Sequence, residues 1–240
     1  MSERGAGGFF IAGTDTGCGK TRVTVGLLRA LHGLGVAAIG MKPVAAGTIS
    51  TNVGIINEDV CKIAAASYDD HGLRPSPRDI NPYCFESAVS PNIAAQRGGI
   101  QVDLNLIASS YARLAERCVC VAVEGAGGWL CPIGADASMA DVARKLALPV
   151  VMVVGMRLGC LNHALLTAEA IERSGVRLAG WIASVIDPAM QALPENLETL
   201  RSRLSAPHLA QLPHASDCAA DAACLHSAAL ALLHCAAGPC

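Results

Sequence analysis

"FFIAGTDTGCGKT", residues 9–21, decides how the chain is read. Four apolar residues lead into a turn-forming stretch that ends in Gly19-Lys20-Thr21. A phosphate-binding loop needs this order: a strand, a glycine-rich turn, then a helix whose free N–H groups meet an anion. Lys20 would reach the β- and γ-phosphates, and the Thr21 hydroxyl would face a divalent cation. The usual spacing places a glycine at position 14, but Thr14 stands there and the nearest glycine is Gly13. The loop is therefore one residue longer than the common form.

Outward from this loop, short apolar runs alternate with longer amphipathic stretches. Strands are expected at 8–13, 36–41, 118–125, 149–155, 178–186 and 208–213. Helices are expected at 20–33, 57–67, from Ser90-Pro91, at 103–117, 161–174, 194–204 and 224–236. Residues 68–90, rich in Pro, Asp and Ser, read as loop. Continuous apolar strands joined by helices predict an α/β fold with a mostly parallel sheet and helices on both faces. With the phosphate loop, this is a P-loop NTPase-like sheet. Its ligands belong at the carboxyl ends of the strands. That rule selects the loops 13–21, 42–47, 124–133, 155–163, 184–188 and 213–217.

The length, 240 residues, suits one domain over 1–240, and neither a linker nor a repeat is visible. Apolar residues make up 52% of the chain but aromatics only 3%, so Ala, Val, Leu and Ile must fill the core. The net charge of −2 gives no general attraction to nucleic acid or anionic lipid. The 11 cysteines are odd in number and several lie in apolar runs. They read as small buried hydrophobes in a reducing, cytoplasmic setting. No signal peptide and no membrane span are expected.

Of 18 basic residues only four are lysines: Lys20, Lys42, Lys62 and Lys145. Arginine supplies generic charge here, so each lysine draws notice as a compact ammonium. Lys42 opens "KPVAAG" (42–47) directly after a strand, where it would enter the same cleft as Lys20. Glu124 closes six apolar strand residues, the place where a P-loop protein keeps a metal-associated carboxylate. The following "GAGG" (125–128) permits close approach to backbone. Asp59 opens a helix and reads either as a cap or as a second metal-associated carboxylate.

Four stretches in order, "GTDTGCGKT", "KPVAAG", "VEGAGGW" and "LGCLNHALLTAEAI", resemble the dethiobiotin synthetases. The likeness covers about residues 8–186. In that family the longer loop lets its side chains face substrate as well as ATP. The resemblance implies an ATP-dependent ring closure in biotin biosynthesis that joins 7,8-diaminononanoate and CO₂ (or bicarbonate) through a carbamate and a carbamic–phosphoric anhydride. It implies Lys42, Lys20 and Thr16 as catalytic groups and Thr21, Asp59 and Glu124 as Mg²⁺ ligands. The ATP site would include Gly17, Cys18, Gly19, Lys20, Thr21, Arg22, Asp59, Glu124, Gly125, Ala126, Gly127, Ser184 and Pro213. The substrate site would include Thr16, Lys42, Ala46, Gly127 and, across a homodimer interface, Asn162.

Three positions depart from the family's pattern: Gly17 and Ala46 stand where acidic and Ser residues are common, and Ser184 where an Asn reads adenine. A serine has one hydroxyl where Asn both donates and accepts. Weaker discrimination between ATP and other nucleotides is therefore expected. A ParA/MinD-type ATPase is the main alternative, but such proteins carry an additional lysine early in the loop, and residues 13–16 hold none. An amidating relative would need a glutamine-hydrolysing domain, and a catalytically dead binding protein would not need Lys20, Lys42 and Glu124. Cys18, near a helix N-terminus, is a place where a thiol can become reactive.

Overall fold

The computed structural model describes residues 7–51, 54–68, 72–215 and 217–236. In chain order the elements are β1 (Gly7–Gly13), α1 (Lys20–Gly33), β2 (Ala38–Met41), β3 (Val44–Ala46), β4 (Ile49–Thr51), β5 (Gly54–Ile56), α2 (Glu58–Ser67), α3 (Pro77–Ile80), β6 (Tyr83–Phe85) and α4 (Pro91–Arg97). There follow α5 (Leu104–Ala115), β7 (Cys120–Glu124), α6 (Met139–Leu146), β8 (Val150–Met156), α7 (Cys160–Arg173), β9 (Leu178–Val185), α8 (Leu193–Arg203), β10 (His208–Leu212), α9 (Cys218–Cys224) and α10 (His226–Ala236).

Six strands form one sheet in the order β10-β9-β8-β1-β7-β2, and every neighbouring pair is parallel. The apolar runs explain this: β7 and β8 are buried along their whole length, as strands covered on both faces must be. Alternation within β1 divides the core. Phe10 and Ala12 pack with side chains of α5, α6, α7 and α8, while Phe9 and Ile11 pack with α1, α2 and α10. Each fully buried Phe, Leu or Ile contributes about 1.5–3 kcal/mol through removal from water. The sheet changes direction of build at β1, whose neighbours are β7 on one side and β8 on the other. A cleft is expected at such a switch point, and the loop after β1 opens into it.

Three expectations need correction. Residues 68–90 contain helix α3 and strand β6, the latter paired in parallel with β3. Helix α6 occupies a stretch to which the sequence reading gave no element; Ser138 and Asp141 form a reciprocal capping box at its start. The helix expected at 224–236 is present as α10, but a further helix to which the sequence reading gave no element, α9, precedes it, and the two are bent by 52° across Leu225. Leu225, at the break, is fully buried. Among the described residues no single helix is long and apolar enough to cross a membrane.

Candidate active site

Helix α1 has an unusual beginning. Its N-cap is Gly19 at φ 100°, no side chain caps its free N–H groups, and its first turn contains no acid. These donors are left for an external anion. Gly19 is required twice over, because φ lies in the left-handed region and a Cβ there would come within 2.3 Å of Ser184 Oγ. The Lys20 ammonium folds back over the loop and donates to the Asp15 carbonyl at 2.8 Å. Asp15 itself pairs with Arg157, which ties the loop to the β8–α7 connection.

A second cation lies at the end of β2. Lys42 Nζ donates to Glu124 Oε1 at 2.6 Å and to Asp59 Oδ2 at 2.7 Å. Glu124 is fully buried, yet its carboxylate is satisfied by three side chains. Thr21 Oγ1 donates to Oε1 at 2.8 Å, and Thr24 Oγ1 lies 2.7 Å from Oε2. Burial works to lower the Lys42 pKa, but Glu124 and Asp59 outweigh it, and the ammonium is held above its ordinary value. Burial likewise pushes Asp59 up; Lys42, Thr21 and Lys62 more than offset this and hold it below the usual carboxylate range. The result is a compact cluster of charges of both signs.

The backbone around Lys42 is fixed by the segment first read as loop. Lys42 N donates to the Ile80 carbonyl at 2.8 Å, and Asn81 Nδ2 donates to the Lys42 carbonyl at 2.6 Å. Asn57 caps α2 by accepting from Val60 N, and donates to the Gly47 carbonyl at 2.6 Å. It thereby holds the loop after Lys42 against the helix that begins with Glu58 and Asp59. Trp129 packs edge-on against Phe10, with ring centroids 6.1 Å apart, and so anchors the turn after Glu124 to the sheet.

These parts enclose a cleft of 690 Å³. It is lined by Thr16, Gly17, Gly19, Lys20, Thr21 and Arg22 from the first loop, Lys42 and Ala46 from the second, Asp59 from α2, and Glu124, Ala126 and Gly127 from the third. Cys18, Gly125, Ser184, Pro213 and Asn162 are not among its walls. Cys18 is buried beneath the loop, its Sγ 3.9 Å from Lys20 Nζ, as a filler would be. Gly125 N donates to the Ile11 carbonyl and fixes the turn. Ser184 is buried and its hydroxyl has no hydrogen-bond partner among the described residues. Pro213 is exposed at the end of β10, and Asn162 is exposed in the first turn of α7.

Sequence reasoning passed over Thr24, Asn57, Asn81, Ser90 and Cys131. Thr24 had a signal: it follows Thr21 by three residues, on the same helix face. Ser90 and Cys131 line the cleft from turns that carry no motif. Burial raises the Cys131 pKa above the ordinary thiol value against the opposing pull of Ser90 and Lys20.

A family model described as an AAA domain matches residues 7–222. The chain is 49% identical over 206 residues to the ATP-dependent dethiobiotin synthetase BioD of Aromatoleum aromaticum, covering 86% of this chain and 90% of that protein. It is 42% identical over 218 residues to the protein of the same name from Xanthomonas campestris pv. campestris, covering 91% and 96%. Among solved structures it is similar to the MinC:MinD cell division protein complex of Aquifex aeolicus, with TM-score 0.57, 13% identity and coverage of 95% and 96%. A ParA family ATPase from Chlorobium tepidum gives TM-score 0.53 at 11% identity, covering 96% and 98%. At such identities the structural likeness speaks for the P-loop NTPase-like fold alone.

Proposed function

The chain belongs to the ATP-dependent dethiobiotin synthetase family, and on that premise we propose that this ATP-dependent ligase of biotin biosynthesis carboxylates 7,8-diaminononanoate and closes its ureido ring. The observation that carries the reading is the meeting of two ammonium groups, Lys20 and Lys42, with Thr21 and two carboxylates around one cleft.

One amine of the diamine attacks CO₂ and loses a proton, giving a carbamate. A carbamate oxygen then attacks the γ-phosphorus of ATP and ADP departs, leaving a carbamic–phosphoric anhydride. The second amine attacks the anhydride carbonyl carbon, phosphate leaves with the bridging oxygen, and the five-membered ring is closed. The physical obstacle is the approach of a carbamate anion to a triphosphate. Lys20 and the free N–H groups of α1 hold the phosphates. The buried Lys42 ammonium sits where the two anions must meet, and in a site shielded from water its charge counts for more. Thr16, at the tip of the first loop, is suited to hold the carbamate.

The donors suit Mg²⁺: Thr21, Asp59 and Glu124 offer only hard oxygen atoms, and the Lys42 ammonium already marks a place for positive charge between the two carboxylates. When bound there, the ion would neutralise charge on the transferring phosphoryl. Gly17, Cys18, Gly19 and Arg22 frame the loop for ATP, with Ser184 and Pro213 on the side of the base. Ala46 and Gly127 would line the diamine. A homodimer fits the exposed face of α7 and the turn before it, where Leu158 is 95% and Leu166 57% exposed. Asn162 lies between them in sequence, beside an α7 N-terminus that no side chain caps, and would hold the distal carboxylate of the partner's substrate. We read residues 1–240 as one cytoplasmic domain; in line with this, the described cysteines are all free thiols.

The test is phosphate release from ATP and bicarbonate with and without the diamine. Release should depend on the diamine, and Lys42→Ala should abolish it while leaving ATP binding largely intact. Release that ignores the diamine would contradict the reading.

A further inference from the structure

Arg22 lies on the first turn of α1, two residues beyond Lys20, and the sequence places it among the nucleotide ligands. In the structure its guanidinium is engaged elsewhere. Arg22 Nε donates to Asp221 Oδ2 and Nη2 to Asp221 Oδ1, both at 2.6 Å. This is a fork-to-carboxylate pair, the strongest and most directional kind of ion pair a side chain makes. Asp221 is only 4% exposed and comes from α9, 199 residues away in sequence.

The close approach of α9 to α1 is built in. A Cβ at Gly26, one turn beyond Arg22, would lie 2.6 Å from Leu225 Cδ1 and 3.5 Å from Asp221 Cβ. The missing side chain lets α9 settle on α1 where Arg22 can grip it. Asp217, four residues beyond Pro213 in the connection from β10, caps α9 by accepting from Ala219 N and Ala220 N, which fixes where α9 starts. That connection lies on a defined side of the phosphate loop. The loop follows β1; Glu124 and Lys42 belong to β7 and β2 on one side, while β8, β9 and β10 lie on the other. Ser184 at the end of β9 already touches the loop at Gly19. A triphosphate whose γ-phosphorus faces Lys42 must extend its nucleoside toward β9 and β10.

We propose that Asp221 is a positioning residue for the nucleoside half of ATP: by taking up Arg22 it straps α9 to the phosphate-loop helix and holds Pro213–Ala215, at the end of β10, as the wall against which ribose and base rest. Arg22 is then a strap anchor and not a phosphate ligand. The proposal rests on the orientation of ATP given under the proposed function.

Calorimetric titration with ATP and with tripolyphosphate, both in excess Mg²⁺, tests it. Tripolyphosphate occupies the loop without touching the wall. Asp221→Asn and Arg22→Met should each weaken ATP binding about tenfold and leave tripolyphosphate binding unchanged. The double variant should be no worse than either single one, because both remove the same strap. Asp221→Glu, which keeps the charge, should restore most of the ATP affinity, and thermal melts separate an unfolded variant from a folded one that has lost a ligand. An Asp221→Asn variant that binds ATP as well as or better than wild type overturns the proposal. So does an Arg22→Met variant that loses tripolyphosphate as strongly as ATP, since Arg22 would then be a phosphate ligand. A wild type that binds tripolyphosphate as tightly as ATP removes the nucleoside wall itself, whereas the diamine dependence of phosphate release judges the reaction separately.

Discussion

Glu124 is a fully buried carboxylate that earns its place by accepting from Lys42 and Thr21, with the Thr24 hydroxyl at its second oxygen. A buried charge without such partners would be neutralised or expelled. The same cluster sets a pH dependence. The Asp59 pKa is depressed in the folded chain, so its contribution to stability is complete above the unfolded value near 3.8 and is lost as pH falls through the folded value. The Lys42 pKa is raised, so its contribution is complete below the unfolded value of 10.5 and is lost as pH rises through the folded value. Between these limits the cluster should be insensitive to pH. Urea titrations of wild type and Asp59→Asn should therefore differ by a constant amount from about pH 5 to 9, and the gap should close in stronger acid. A gap that widens in acid would contradict the assignment. At this scale the sequence was informative where a residue type was scarce or out of place. Four lysines among 18 basic residues and an acid ending an apolar strand were conspicuous; Lys20, Lys42 and Glu124 line the cleft, while Lys62 and Lys145 do not. Ser90 and Cys131 were invisible because turn residues of common type acquire meaning only from their neighbours in space.

Among the elements, the main sheet was legible because its strands are uninterrupted apolar runs, which cannot be mistaken for solvated turns. The segment 68–90 was not. Strand β6 is three residues long and α3 four, too short for either period to show. Yet this segment places the lysine: the Ile80 carbonyl and the Asn81 side chain grip Lys42 from both sides of its peptide. Asn81→Ala should consequently slow the coupled reaction by about tenfold, the worth of a hydrogen bond or two in transition-state positioning, with ATP binding spared. Steady-state rates beside ATP titrations check this, and an unchanged rate would show that β2 alone fixes Lys42. Helix α6 carried a readable start in Ser138 and Asp141, but at eight residues it spans little more than two turns, too few for a helical period to stand out. Helix α9 was not legible because Cys218–Cys224 consists of Ala, Cys and one Asp, with no apolar period to show.

Over the whole molecule, the parallel sheet brings three loops to one rim, and the strand order assigns them sides. The phosphate loop stands in the middle, the ammonium of Lys42 with its carboxylates lies toward β7 and β2, and the β9 and β10 ends lie opposite. Relatives in fold such as the MinD and ParA proteins share this architecture at 11–13% identity, so the architecture does not choose the reaction. The choice comes from what the rim presents, and here it presents Lys20 and Lys42 around one cleft, where the proposed reaction would bring two anions together. The direct measurement is the fate of oxygen. With ¹⁸O-bicarbonate, diamine and ATP, and product collected before label exchanges with water, the released phosphate should carry one heavy oxygen, delivered by the carbamate that attacked phosphorus. Phosphate that carries oxygen from solvent water alone would mean that ATP is hydrolysed without a carbamate at its γ-phosphorus, and would contradict the account.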